Sequence, residues 1–189
     1  MKKQLTFFVL TAVLIIACKQ QNKKTSSNVD KDIKDYVKQT PGINAGAGTF
    51  SIQAIEGWTK VDTAIGGLQI VLLKSGLENA DDIFMENINV VTENAIGMNV
   101  DDYFKANLAS LNDGMPGYQK ISTNNITING RDARRLVYTH TYTGTPVDVE
   151  AYFFSENDKG YVITCSAAKD KLENWKPSFD KVVNSFVVN

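Results

Sequence analysis

The sequence contains few of the residues from which most metal centres and nucleophilic sites are built. Its 189 residues include one histidine and two cysteines. This inventory is too small for a zinc site of four cysteines, of paired cysteines and histidines, or of three histidines, and it leaves few routes to an activated nucleophile. Calcium-loop, phosphate-loop, lipase-elbow and metalloprotease patterns are also missing from the sequence. We therefore expect no metal, no cofactor and no enzymatic activity.

An excess of positive charge is missing as well. The chain has 20 lysines and arginines against 21 aspartates and glutamates, which gives a formal net charge of -1. Sequence-independent binding to nucleic acid requires many cations that neutralise phosphates, so nucleic acid is not an expected partner. The length fits one globular domain with appendages.

The sequence lacks an apolar run long enough for a permanent membrane anchor. The longest run covers residues 5–17, and thirteen helical residues span only about 20 Å of a hydrocarbon core that is roughly 30 Å thick. A basic segment, Met1-Lys2-Lys3, precedes this run, and the small residue Ala17 ends it. These three parts are typical of a secretory signal peptide, which we place at residues 1–17.

The four residues around the end of this run resemble the lipobox of bacterial lipoproteins. In Ile15-Ile16-Ala17-Cys18 a small residue precedes a cysteine, and in lipoproteins that cysteine is acylated and becomes the mature N-terminus. Each buried methylene contributes about 0.8 kcal/mol to membrane binding, so two or three acyl chains hold a domain stably at a bilayer. The resemblance implies lipidation of Cys18, with the lipid bilayer as a partner. An ordinary signal peptide followed by a chance cysteine is the alternative.

Residues 18–47 are expected to form a flexible tether. Positions 19–28 contain no apolar residue and so bury nothing that offsets the entropy of ordering them. The tether carries a net charge of +3 (six lysines, three aspartates), whereas residues 48–189 carry -6 (twelve basic, eighteen acidic). The cations either approach an anionic bilayer or only solvate a linker. Surface lipoproteins of Bacteroidetes have an acidic signal directly after the acylated cysteine, and the first acid here is Asp30. The sequence thus lacks an acidic signal directly after Cys18. By comparison with these lipoproteins, we expect the domain to lie at the outer membrane and to face the periplasm.

The domain at residues 48–189 has the pattern of an α+β protein. Apolar residues alternate or run together in eight segments, and Asn129-Gly130 is the sequence most favoured in a tight hairpin turn. Asn99 is expected to cap a helix with Asp101 and Asp102 in its first turn, and a last helix is expected at 175–186 with Pro177 in its first turn. The prediction is an antiparallel sheet of seven or eight strands with helices packed on its faces. The predicted strands cover 50–54, 58–61, 68–73, 83–92, 121–128, 131–142, 147–154 and 161–167.

Several segments resemble the PsbP-like superfamily, over a stretch from Thr49 to the C-terminus. They lie at 50–52, 57–58, 87–91, 102–104, 130–136, 161–165 and 183–186. The resemblance implies an antiparallel sheet between helices, an α/β/α sandwich. It also implies a non-catalytic domain that binds an unidentified protein partner or assists an envelope assembly, because members of this group mostly act in that way. A module that binds a small ligand or a cation in a groove between sheet and helix is the alternative.

His140 and Cys165 are the two residues of reactive type within the domain. If the turn at 143–146 pairs Tyr142 with Val147, His140 lies opposite Val149 on the apolar face of the sheet. We therefore interpret it as a core histidine and not as a general base. Cys165 lies in an apolar strand without a basic neighbour in sequence, so we interpret it as an inert core residue.

Five charged residues are the candidates for binding. Asp148 and Glu150 lie two residues apart on one strand, about 7 Å from each other on one face, which is too few acids for a metal site but suits a polar face. A basic cluster at Arg131, Arg134 and Arg135 fits an anion or a protein surface. A strand edge defended by charge is the alternative, with Asp132 and Asp148 as ion-pair partners of the arginines.

Overall fold

A seven-stranded antiparallel sheet forms the centre of the molecule. The computed structural model describes residues 50–65, 68–79, 82 and 84–189. The predicted signal peptide, Cys18 and the tether lie outside these residues. The strand order is β2-β3-β4-β8-β7-β6-β5, and β1 and β9 form a separate two-stranded sheet. The strands are β1 (Phe50–Ser51), β2 (Thr59–Ile65), β3 (Leu68–Lys74), β4 (Asn87–Asn94), β5 (Gln119–Ile128), β6 (Arg131–Tyr142), β7 (Thr145–Glu156), β8 (Lys159–Ala168) and β9 (Val187–Val188).

Two helices cover opposite faces of this sheet. Helix α1 (Val100–Gly114) begins where predicted, because the Asn99 side chain accepts the backbone N–H of Asp102 at 3.0 Å. The inner side of α1 shares one apolar core with β6, β7 and β8. Helix α2 (Leu172–Val183) shares the other core with β4 and β8. This arrangement confirms the predicted α/β/α sandwich. In the part of the chain that the structure describes, neither helix has the length and apolar character needed to cross a membrane.

Three tight turns connect the strands from β5 to β8. Asn129-Gly130 forms the predicted hairpin, and both residues have positive φ. The next two turns also contain only two residues, Thr143-Gly144 and Asn157-Asp158, all with positive φ. The predicted four-residue turn at 143–146 is wrong, since Pro146 lies within β7 and Tyr142 pairs with Thr145. The register is therefore shifted by two residues, which leaves every side chain on its predicted face.

The ends of several helices and strands differ from the predicted ends. Helix α2 begins three residues earlier than predicted, because Leu172 is buried and joins the face formed by Phe179 and Val182. Pro177 consequently lies inside the helix. Its missing N–H leaves the carbonyl of Glu173 without a helical partner, and both residues are on the exposed side.

Helix α2 also ends at Val183 instead of residue 186. Among the strands, β4 begins at Asn87 instead of residue 83, β1 contains two residues instead of five, β2 ends at Ile65 instead of residue 61, and β5 begins at Gln119 instead of residue 121.

Gly160 marks a close approach between the sheet and α1. A Cβ at this position would lie 2.3 Å from two ring atoms of Tyr103. The Tyr103 ring is fully buried, and its hydroxyl donates a hydrogen bond to Glu93 at 2.9 Å. Burial raises the pKa of Glu93, and this hydrogen bond opposes the rise. Glycine at position 160 therefore sets how closely the first turns of α1 approach β8.

Candidate binding groove

The three arginines predicted as a cluster are separated by the structure. Arg131 binds Glu156 at 2.8 Å and Arg134 binds Asp101 at 2.7 Å. Arg135, on the opposite face of β6 from Arg134, binds Glu150. The predicted ion pairs with Asp132 and Asp148 are therefore wrong, because alternation along the strand sends Arg134 and Arg135 to opposite faces of the sheet. A binding role for the three arginines stays a prediction, and their observed contacts are ion pairs within the chain.

Glu150 lies at the centre of a charge cluster beneath α2. Its side chain is 1% exposed and contacts Arg135 and, at 3.6 Å, the Nζ of Lys176. Lys176 also binds Asp180 one turn further along α2, at 3.0 Å. Burial and the neighbouring carboxylate of Glu150 raise the pKa of the Tyr152 hydroxyl. The cluster fixes α2 on the sheet and buries Glu150, whose Oε2 has no hydrogen-bond partner among the described residues.

Asp148 holds the connection between β8 and α2. It accepts the backbone N–H of Asp170 at 2.7 Å and binds Lys169 at 3.2 Å. Asp148 and Glu150 thus have different partners and do not act as a pair. Among the described residues, no three side chains of histidine, cysteine, aspartate or glutamate converge as metal ligands would.

His140 lies in the core between the sheet and α1, as predicted. It is 4% exposed, and its ring centroid lies 5.9 Å from that of Tyr138. The register places it opposite Val147 instead of Val149. Burial lowers the pKa of the imidazole, and the backbone of Thr141 opposes this shift. Cys165 is free and buried, and burial raises the pKa of its thiol, so the prediction of a core cysteine is confirmed.

The buried imidazole predicts an acid-sensitive component of stability. Because its pKa is lowered in the folded chain, the unfolded chain takes up a proton near pH 6.5 while the folded chain does not. We expect the free energy of unfolding to decrease as the pH falls through about 6.5, and we expect His140→Leu to remove this component. Urea unfolding between pH 7.5 and 5.5 measures it. Since the chain has one histidine, its imidazole proton signal reports the titration directly, and a midpoint at or above the unfolded value would contradict the interpretation.

A concave groove lies between α1 and the start of β5. It has a volume of about 460 Å³ and is lined by Lys105, Leu108, Ala109, Asn112, Tyr118 and Lys120. Leu108, Ala109 and the Tyr118 ring provide an apolar floor. Lys105 and Lys120 also line it and form no ion pair with any described residue. The hydrogen bond from Arg134 lowers the pKa of Asp101, one turn before Lys105 on α1, and the charge of Lys105 adds to this shift. Such a groove suits a group that is apolar in part and negatively charged in part.

Tyr118 anchors the floor of the groove. Its ring packs on Tyr138 with centroids 5.3 Å apart. Its hydroxyl is buried and has no hydrogen-bond partner among the described residues. Burial raises the pKa of this hydroxyl.

This groove was not predicted from the sequence. In the structure Leu108 is only partly buried beside the core. Tyr118 and Lys120 precede the predicted start of the fifth strand at residue 121. An available signal was the spacing of Lys105, Leu108 and Asn112, which places the three residues on one side of α1.

Comparison with known proteins supports the fold. A family model for PsbP-like protein matches residues 5–188. A Pseudomonas aeruginosa protein of unknown function, PA94, is 14% identical, with a TM-score of 0.57 over 75% of this chain and 99% of that chain. CyanoP from Synechocystis sp. PCC 6803 is 19% identical, with a TM-score of 0.50 over 76% and 95%. LpqN, involved in cell envelope biogenesis of Mycobacterium tuberculosis, is 12% identical, with a TM-score of 0.54 over 83% and 96%.

These structural likenesses concern the fold alone. No curated protein sequence matches the chain. The family match extends over nearly the whole sequence, and an antiparallel sheet between two helices is the architecture that the resemblance of its segments implied. The chain therefore belongs to the PsbP-like protein family.

Proposed function

We propose that the chain is a lipid-anchored, non-catalytic protein of the bacterial cell envelope that binds a protein partner through the groove between α1 and β5. The observation that carries this proposal is the groove itself. There, apolar side chains and two lysines without ion pairs lie next to the open edge of the sheet. Catalysis is not part of the proposal, because the one histidine is buried in the core and fold alone licenses no activity.

The location in the envelope is supported by the N-terminal segment and by one relative. The lipobox-like Ile15-Ile16-Ala17-Cys18 and the basic tether favour an acylated protein at the outer membrane that faces the periplasm. LpqN, which shares the fold, is involved in cell envelope biogenesis. A lipid-anchored domain held by a tether of this length has access to proteins of the same membrane.

Site-specific cross-linking in intact cells tests this function. With benzoylphenylalanine in place of Ala109, on the groove, we expect a cross-linked adduct of one defined mass. In place of Glu173, which is exposed on α2 at the opposite face of the sheet, we expect none. Cys18→Ser is expected to abolish incorporation of labelled fatty acid and to weaken the Ala109 adduct, because the domain leaves the membrane. Equal labelling of wild type and Cys18→Ser would remove the anchor, and equal adducts from both positions would remove the groove.

A small ligand is the second candidate occupant. The groove volume of about 460 Å³ lies within the range of small-molecule sites. The groove also lies between the sheet and a helix, which is where the alternative prediction places a small ligand or a cation. Two unpaired lysines disfavour a cation at this place and favour an anion. A small anion would be retained by the purified chain and released on denaturation, which mass spectrometry detects, and it would give no protein adduct from Ala109.

A further inference from the structure

We infer that the occupant of the groove is an extended, acidic segment of the partner, which adds as a strand to the free edge of β5. The inference rests on the proposed function and names the chemistry of the partner. It draws on three observations: a terminal strand with an open edge, a groove between α1 and the start of that strand, and two lysines without ion pairs.

The edge of β5 is open and has little protection beyond its first residues. β5 is the terminal strand of the seven-stranded sheet, and most of its residues are exposed. Residues 121–128 contain no charged side chain, and Ile121 is 58% exposed at a β-bulge. The opposite terminal strand, β2, carries the ion pair of Lys60 and Asp62. Natural sheets guard exposed edges with charge, especially lysine, and with bulges. In β5 both devices, Lys120 and the bulge, lie at the start of the strand, so the rest of its edge is open to another strand.

Helix α1 crosses the face of the sheet toward this edge and forms the second wall of the groove. Its first turns lie over β8, where the Tyr103 ring contacts Gly160, and the helix packs on β7 and β6. The segment after its last turn lies near the start of β5, because Pro116 accepts the N–H of Thr141, close to the pair of Gln119 and Thr139. Alternate side chains of a strand added to β5 would therefore point to the side of α1. Peptide recognition by strand addition uses such a combination of main-chain hydrogen bonds and side-chain pockets.

The charge of the groove selects among the candidate strands. Lys105 and Lys120 form no ion pair with a described residue, and carboxylates between them would neutralise both. The tether of this chain has a net charge of +3 and would be repelled. A second copy that paired through its own β5 would bring no carboxylate, because Gln119–Ile128 contains none. An acidic segment of a different protein satisfies both the edge and the lysines.

Fluorescence anisotropy with defined peptides tests the inference on the full chain purified in mild detergent. The probe is a fluorescein-labelled peptide of ten residues that alternates valine and glutamate, and we expect it to bind. Two further peptides carry N-methyl groups on every valine or on every glutamate. One of the two is expected to bind at least ten-fold more weakly, because N-methylation blocks one edge of the added strand and keeps its charge. A peptide of valine and lysine is expected not to bind.

Two double variants test the role of charge. Lys105→Glu with Lys120→Glu is expected to reverse the preference, so that the valine-lysine peptide binds and the valine-glutamate peptide does not. The control is Lys171→Glu with Lys181→Glu, which makes the same change in net charge at exposed positions around α2 and is expected to leave binding unchanged.

Three outcomes would overturn the inference. These are no binding of the valine-glutamate peptide, equal binding of all methylated forms, and a dimer that forms through β5 and excludes the peptide. Each leaves the proposed function standing if the Ala109 adduct still forms in cells. If the adduct is missing while the peptide binds as described, the strand chemistry holds and the proposed function fails.

Discussion

Arg135→Met is expected to lower the free energy of unfolding by about 3–5 kcal/mol, the range for a buried charge that loses its partner. Glu150 is 1% exposed, and Arg135 is one of its two cationic contacts. The other contact, Lys176, lies at 3.6 Å and is shared with Asp180. After the substitution, the Glu150 carboxylate stays buried with incomplete compensation. Urea or thermal unfolding of the two proteins measures the difference.

A double variant separates loss of the charge pair from loss of packing. Arg135→Met with Glu150→Leu removes both charges and leaves Lys176 bound to Asp180, so we expect most of the lost stability to return. The matched control is Arg131→Met, whose pair with Glu156 is 30% and 38% exposed; it should cost no more than about 1 kcal/mol. Similar losses from Arg135→Met and Arg131→Met would show that the Glu150 cluster is not the cause.

Gly160→Val is expected to cost about 3 kcal/mol, at the upper end of the range for overpacking a core. The first carbon of the new side chain would meet the Tyr103 ring at 2.3 Å. That ring is held by the bond to Glu93 and packs on Phe153, with centroids 6.4 Å apart. Either α1 or β8 has to move. Calorimetric unfolding measures the cost, and near-ultraviolet circular dichroism reports the displacement of the tyrosine.

Gly76→Ala is the control for this substitution. A Cβ at Gly76 would meet no atom within 4 Å, and its φ is not positive. We expect a change within about 0.5 kcal/mol, as for other surface substitutions. In a Tyr103→Leu background, Gly160→Val should cost much less than in the wild type, because the ring that causes the clash is gone. An unchanged cost in that background would place the strain elsewhere.

The sequence predicts the faces of the sheet better than the ends of its elements. Alternation along β6 and β7 placed His140 in the core and Glu150 on the other face, and both placements hold although the register was off by two residues. The error came from Thr143, a β-branched residue that adopts a φ of 43° in a two-residue turn. Side-chain alternation has a period of two, so this shift left the faces unchanged.

Contacts between distant segments were beyond reach of the sequence patterns. Arg134 and Arg135 are adjacent in sequence, yet one binds Asp101 of α1 and the other binds Glu150 beneath α2. The groove likewise requires knowing which side of α1 faces β5, and that depends on the helix position over the sheet. The apolar periodicity of α1 shows that one side is buried but does not give the direction of the helix axis.

The first and last strands of the described chain, β1 and β9, pair with each other. Phe50 pairs with Val188, and the Phe50 ring lies 5.5 Å from Phe186 and 6.2 Å from Tyr161. The described chain therefore begins and ends on the same side of the domain. If the protein is anchored to a membrane as proposed, force applied through the tether acts first on the pair of β1 and β9. The contacts of the Phe50 ring with Phe186 and Tyr161 then resist separation more than the two-residue ladder does. A fluorescent protein fused after Asn189 would lie on that same side of the domain, close to the segment that connects the domain to the tether.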